Sequence, residues 1–230
     1  MMEDDFSKEC IKRLQDEVSH FLLRSILVLN GVVIIPKEVE VYYYKEGEFE
    51  DDSVHRNALQ KNNKAHFYVH RTGTEKNDPY KGGNYPGVDF VISDDEEVYH
   101  SYLIRSALVN EKLIVGPHNV LQAIKSDGHF DDYKDVEDKP VKVESNTVSC
   151  PVLFSKRINL GKKVREEFVE CKLRAVLCDE WFRNSKYPSK EKMVVEYLLE
   201  EVRVQNMDKE EALAFAKEHL GYIPASLKRL

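Results

Sequence analysis

Asn30-Gly31 stands between two β-branched runs, residues 26–29 and 32–35, and no other short pattern restricts this fold as much. Two-residue hairpin loops need positive φ at both central positions, which Asn-Gly supplies readily. An antiparallel hairpin is therefore expected here. The residues before it follow a different period. Cys10, Ile11, Leu14, Val18, Phe21 and Leu22 recur every three to four positions, so residues 7–23 read as an amphipathic helix with Ser7 as its N-cap. Pro36 punctuates the chain after the hairpin, and residues 39–44 form a further β-branched and aromatic run.

The rest of the chain divides by the same signals. Residues 46–52 are acidic and read as a loop. Strand-like runs return at 65–70, 88–93, 99–107, 148–158 and 170–177. Residues 72–87, rich in Gly, Asn, Asp and Pro, form a long loop of the kind that usually carries function. A short helix is expected at 118–124 behind Gly116-Pro117, and a polar surface excursion at 127–144. Residues 189–204 are helical by composition, and Asp208 with Glu211 makes a capping box for a second helix that stops at Gly221, just before Pro224. Residues 1–183 thus read as a mixed α+β domain and 184–230 as a C-terminal helical hairpin. No internal repeat is visible.

Composition narrows the function classes. In 230 residues, 42% are hydrophobic, ample for a packed core. No apolar run reaches the roughly 18 residues of a membrane span; the greasiest stretch, 21–35, is broken by Arg24, Ser25, Asn30 and Gly31. Glu3, Asp4 and Asp5 stand where a secretory leader would be basic, so no leader is expected. Cys10, Cys150, Cys171 and Cys178 are scattered and read as reduced thiols of a cytoplasmic protein, or a nuclear one in a eukaryote. His66 and His70, four apart, share a face on a helix or a strand but lack a third ligand at a recognisable spacing, so neither a metal nor another cofactor is expected. The formal charge of −7 argues against a phosphate-binding surface unless the positive charge is locally concentrated.

Four features carry the chemistry. Glu40 and Tyr42 share one face of a strand, with Val39 and Val41 on the other. Residues 51–55 form an acidic loop ending in His55. Arg105 lies inside an apolar strand, and Arg157-Ile158-Asn159-Leu160-Gly161 is followed by Lys162, Lys163 and Arg165. Taken singly, Glu40 would be a solvent-facing strand residue, Arg105 a structural ion-pair partner and His55 a loop histidine. Tyr42, Tyr43 and Tyr44 would be strand packing.

In order, the chain shows Glu38-Val39-Glu40-Val41-Tyr42, residues 51–55, Pro86-Gly87-Val88-Asp89-Phe90, Leu103-Ile104-Arg105-Ser106-Ala107, residues 116–124 and residues 157–161. In that order and at similar spacings, these six motifs resemble those of the alkyladenine (3-methyladenine) DNA glycosylase family over roughly residues 10–182. The resemblance implies a single curved, mostly antiparallel sheet or partial barrel with flanking helices. It also implies that Glu40 activates the water attacking the sugar C1′, that Arg105 holds that water, and that Tyr42 and His55 sandwich a base flipped from duplex DNA. Excision of this kind needs a carboxylate near an oxocarbenium-like transition state, and a pocket whose contacts repay unstacking. A carboxylate beside an arginine stays ionised, as a general base must. No lysine stands at the Glu40 position, so a monofunctional enzyme leaving an abasic site is implied.

The chain also departs from the family. Residues 82–87 replace a tyrosine-rich segment that supplies a third stacking ring and a wedge for the duplex gap; Tyr85 and Tyr80 are the candidates to take over one of these roles. Ser93 stands at the family's pocket asparagine, which leaves the substrate base open. Glu48, Glu50 and Asp51 would repel phosphates unless they point away.

The charge is sided. Between residues 156 and 174, Lys156, Arg157, Lys162, Lys163, Arg165, Lys172 and Arg174 face three acids, a local +4. Lys156, Arg157, Lys162, Lys163 and Arg165 are therefore the candidate DNA contacts. Two alternatives remain: a non-catalytic nucleic-acid-binding or interaction protein of the same fold, or an N-glycosidase acting on single strands or nucleosides. In either case the apolar stripe of Val195, Leu198 and Val202 is core, or a surface for a protein partner or second copy.

Overall fold

A computed structural model of the chain describes residues 2–69, 86–184 and 190–229. Helix α1 (Met2–Arg24) leads into strands β1 (Ser25–Leu29), β2 (Val32–Lys45), β3 (Phe49–Glu50), β4 (Phe67–Val69), β5 (Val88–Val91), β6 (Val98–Val109) and β7 (Lys112–Val115). Helices α2 (Pro117–Asp127) and α3 (Tyr133–Asp138) follow, then β8 (Lys142–Ser145), β9 (Val152–Ser155), α4 (Glu166–Glu170) and β10 (Arg174–Leu177). Helices α5 (Glu180–Asn184), α6 (Lys190–Arg203) and α7 (Lys209–Leu220) complete the order. The class is α+β, built on one curled antiparallel sheet. Its order is β4-β5-β6-β2-β1-β8, with β10 and β3 also on β2, β7 on β6 and β9 on β10.

The Asn30-Gly31 hairpin forms as the sequence requires. Asn30 and Gly31 have φ of 49° and 84°, and Leu29 faces Val32. Pro36 does not end the strand. β2 runs through it in a bulge: Pro36 faces Ala107 while Glu38 faces Ser106, leaving Lys37 as the extra residue. One step later Glu38 faces Ser106 and Val39 faces Ile104, so Arg105 is extra on β6. Bulges bend strands and re-aim side chains, and the pair lets one sheet curl.

Several segments differ from the sequence reading: α1 begins at Met2 and runs through Ser7, its expected N-cap, and the strand expected at 170–177 is confined to β10. The acidic stretch 46–52 contains β3, which folds back on the end of β2. Strand β7 returns along β6 through Asn110 and Glu111, both at positive φ. The polar segment 127–144 holds α3, capped by Asp132, and β8, an edge strand on β1. All four β8 residues are exposed, so its polarity is that of an uncovered edge.

Both faces of the central strands are covered: residues 36–43 are all buried. Helix α1 closes one face, burying Leu14, Val18 and Leu22 in a core shared with Val39, Val41 and Tyr43. Phe21 of α1 stacks on Phe90 at 5.5 Å and meets Tyr102 at 4.9 Å. On the other face, over strands β9 and β10, helices α5, α6 and α7 pack Phe182, Met193, Val194, Leu198, Ala212 and Ala216 around Leu153 and Val176. Leu198, with the half-buried Val195 and Val202, belongs to this core. Helix α7 has the capping box of Asp208 and Glu211 and ends at Gly221, φ 81°.

Candidate active site

Residues directly opposite in antiparallel strands share a face. The register therefore sets Arg174, Glu40, Leu103, Asp89 and Tyr68 in one row across β10, β2, β6, β5 and β4, on the face away from α1. Tyr42 and Ser101 lie in the next row. The alternation that sends Val39 and Val41 into the core sends Glu40 and Tyr42 here.

Glu40 is fully buried and held by three donors. Tyr42 Oη donates to Oε2 at 3.1 Å, the Ile158 amide donates to Oε1 at 2.9 Å, and Arg105 Nη1 lies 3.3 Å from Oε2. Arg105 also spans to Glu38, with Nε 3.4 Å from Oε1. Glu38 is in turn gripped by Arg174 Nε at 2.7 Å and Nη2 at 2.6 Å, and by the Ser106 hydroxyl at 2.9 Å. The bulge turns Arg105 onto the same face as its neighbour Ser106, where it bridges the two carboxylates. Burial, with Glu40's charge next in effect, pushes the Tyr42 phenol well above its ordinary range, so it remains a neutral donor.

Arg157 is not a surface residue. Its guanidinium is buried, with Nη1 on Asp51 Oδ2 at 2.6 Å, Ser53 Oγ at 2.9 Å and the Val41 carbonyl at 3.1 Å, and Nη2 on the Phe168 carbonyl at 3.1 Å. It also sits 5.2 Å from the centre of the Tyr42 ring. A buried arginine needs this many acceptors, and their supply removes Arg157 from the DNA-facing set. Its role is to brace the segment whose next amide holds Glu40. Asp51 likewise points inward, away from any phosphate.

Above Tyr42 opens a cavity of about 500 Å³, lined among others by Ser53, His55, Asn159, Leu160 and Lys163. Asn159, at φ 61°, turns the chain over it. His55 meets Tyr68 edge-on, with Nδ1 3.2 Å from the phenol oxygen. Tyr42 and His55 thus line one cavity; Glu40 does not line it but accepts the hydrogen bond of Tyr42. Arg165 pairs with Asp52 at 2.7 Å at the rim, Lys156 pairs with Glu170, and Lys162 and Lys163 are exposed.

Ser93 is elsewhere. Its hydroxyl donates to the Asp95 carbonyl and accepts from the Asp95 amide, both at 3.1 Å, closing the β5–β6 turn, and it does not line the cavity. A short hydroxyl at a hairpin end is consumed by the backbone. Tyr80, Tyr85 and His70 lie outside the described residues. Among those described, no group of three or more His, Cys, Asp or Glu side chains is placed to hold a metal ion, and no helix is long and apolar enough to cross a membrane.

Two acids on this face carry no separate role in the sequence reading. Glu38 is detectable in retrospect, two positions before Glu40 and therefore on its side of the strand. Asp89 is detectable as a lone charge inside the apolar run Val88-Asp89-Phe90-Val91. It is fully buried, accepts from Ser101 Oγ at 2.8 Å, and burial pushes its carboxyl up to about 7 against the opposing pull of Ser101, His55 and Gln60. Chemically, the face joins the carboxyl of Glu40, an aromatic-walled cavity and a second acid whose pKa is raised by burial. The chain matches no protein-family model and no curated protein.

Proposed function

We propose that the chain is a monofunctional DNA glycosylase of the alkyladenine-glycosylase fold, hydrolysing the N-glycosidic bond of a modified base flipped from duplex DNA. Residues 1–183 would form the glycosylase-like domain and 184–230 a C-terminal helical extension. One observation carries the reading: Glu40, held by Arg105, accepts the hydrogen bond of Tyr42, which lines a cavity together with His55. A base between those two rings would bring its sugar toward Glu40. A water displacing the Tyr42 hydroxyl from Oε2 would find a proton acceptor there, with Arg105 beside it to hold it for attack on C1′. Lys162, Lys163 and Arg165, beside the cavity, would take the flanking phosphates.

A second reading draws on Glu40's complete burial. The same contacts suit a structural ion-pair network, in which case the chain binds nucleic acid without cleaving it. The test is to incubate wild type and Glu40→Gln with duplexes carrying hypoxanthine, ethenoadenine or methylated purines, then to cleave abasic sites with alkali. Strand breaks that fall at least ~100-fold in the variant support catalysis. DNA binding with no excision of any lesion supports the binding protein, and release only from single strands or nucleosides supports the third class.

A further inference from the structure

We propose that Asp89 is the acid counterpart of Glu40: it holds the proton taken up by the departing base, and His55 presents that proton to the cavity. The inference rests on the glycosylase reading and assigns the other half of its chemistry. Asp89 lies in the same cross-strand row as Glu40, with Leu103 between them. Two strand spacings put the backbones of the two acids roughly 10 Å apart, with both side chains on the same face of the sheet.

The surroundings suit a proton-bearing carboxyl. Asp89 is completely buried, and burial raises its carboxyl to about 7, so the protonated and ionised forms coexist near neutral pH. Ser101 donates to it, Gln60 donates to Ser101 at 3.1 Å, and His55, which lines the cavity, is close enough for its charge to act on the carboxyl. Among the described residues, the other titratable groups facing it are Tyr42 and Glu40 of β2 and Tyr68 of β4; β6 contributes only Ser101 and Leu103.

The step balances. Water bonds to C1′ through its oxygen and gives a proton to Glu40. The C1′–N bond breaks with its electron pair leaving on the base, and that nitrogen takes the proton held by Asp89 through His55. Solvent returns a proton from Glu40 to Asp89. A base that already carries a positive charge, such as 7-methylguanine, leaves without this donation, whereas hypoxanthine or ethenoadenine depends on it.

The experiment compares the excision of hypoxanthine and 7-methylguanine from duplexes by wild type, Asp89→Asn and Ser101→Ala across pH 5–9. Asp89→Asn is expected to lower hypoxanthine excision at least ~100-fold more than 7-methylguanine excision, and to abolish the fall in hypoxanthine rate above neutral pH. Ser101→Ala leaves the carboxyl in place but removes a donor that favours its anion, so that fall should move to higher pH. Equal losses on both bases, or an alkaline limb unchanged in both variants, would overturn the role of Asp89 while leaving the glycosylase reading intact. Excision of neither base by wild type would overturn both.

Discussion

Asp89 and His100 are buried on opposite faces of one sheet, and burial moves their pKa values in opposite directions. Burial pushes the Asp89 carboxyl up to about 7 and holds the His100 imidazole down to about 3, between the rings of Tyr43 and Tyr102. For Asp89 the folded value lies above the unfolded one, so its contribution is complete below about pH 4 and drains away as pH rises through 7. For His100 the folded value is lower, so its contribution is present above about pH 6.5 and is lost as pH falls toward 3. Urea denaturation of wild type and Asp89→Asn at pH 5 and pH 8 should therefore show the variant gaining relative stability with pH, by an amount on the order of 3 kcal/mol. A pH-independent difference would contradict that placement. The residues themselves were half legible. Period-two alternation put Glu40 and Tyr42 on one face, but which arginine meets which acid was not readable. Arg105 bridges Glu38 and Glu40, Arg174 holds Glu38 and Arg157 holds Asp51, pairings between residues 65 to 136 positions apart that only the tertiary fold brings together.

Turns and bulges separate the elements the sequence announces from those it hides. Asn30-Gly31 is announced, because both positions need positive φ. Nothing lies within 4 Å of a Cβ built on Gly31, so Gly31→Ala tests backbone conformation alone. It should cost about 1 kcal/mol, and Gly31→Asn less, since asparagine tolerates the left-handed region. Thermal melts of the two variants measure this; equal losses would point to packing instead. The second hairpin, through Asn110 and Glu111, uses the same conformation without glycine and so gave no signal. The bulges at Lys37 and Arg105 are equally silent. They depend on how two long strands accommodate Pro36 and the curl of the sheet, and without the second of them Arg105 would not stand beside Ser106 on the acidic face.

For the molecule as a whole, the helices after β10 cover the β9–β10 part of the sheet face that α1 leaves open. Leu153, Val176 and Cys178 are buried only because α5, α6 and α7 cover them. A chain ending at residue 184 should therefore expose this apolar surface and lose several kcal/mol, at about 25 cal/mol for each Å² uncovered. Circular dichroism melts and gel filtration would show a lower midpoint with association; an unchanged monomer would mean the two cores are independent. Net charge belongs to this scale too. The sum of −7 says little about the cavity rim, where Lys162 and Lys163 are exposed while Arg157 spends its charge inside.

By itself the sequence determined α1, the first hairpin and the sidedness of β2, because those follow from local rules: a 3.6 period for α1, alternation for the strand, and obligatory positive φ at Asn30-Gly31. It also announced Glu40 and Tyr42 as neighbours on one face. The tertiary structure alone decided that Arg157 faces inward, that Ser93 is spent on a turn, and that Asp89 shares a row with Glu40. Those outcomes depend on burial and on cross-strand register, which arise when distant segments pack and leave no trace in the order of residues.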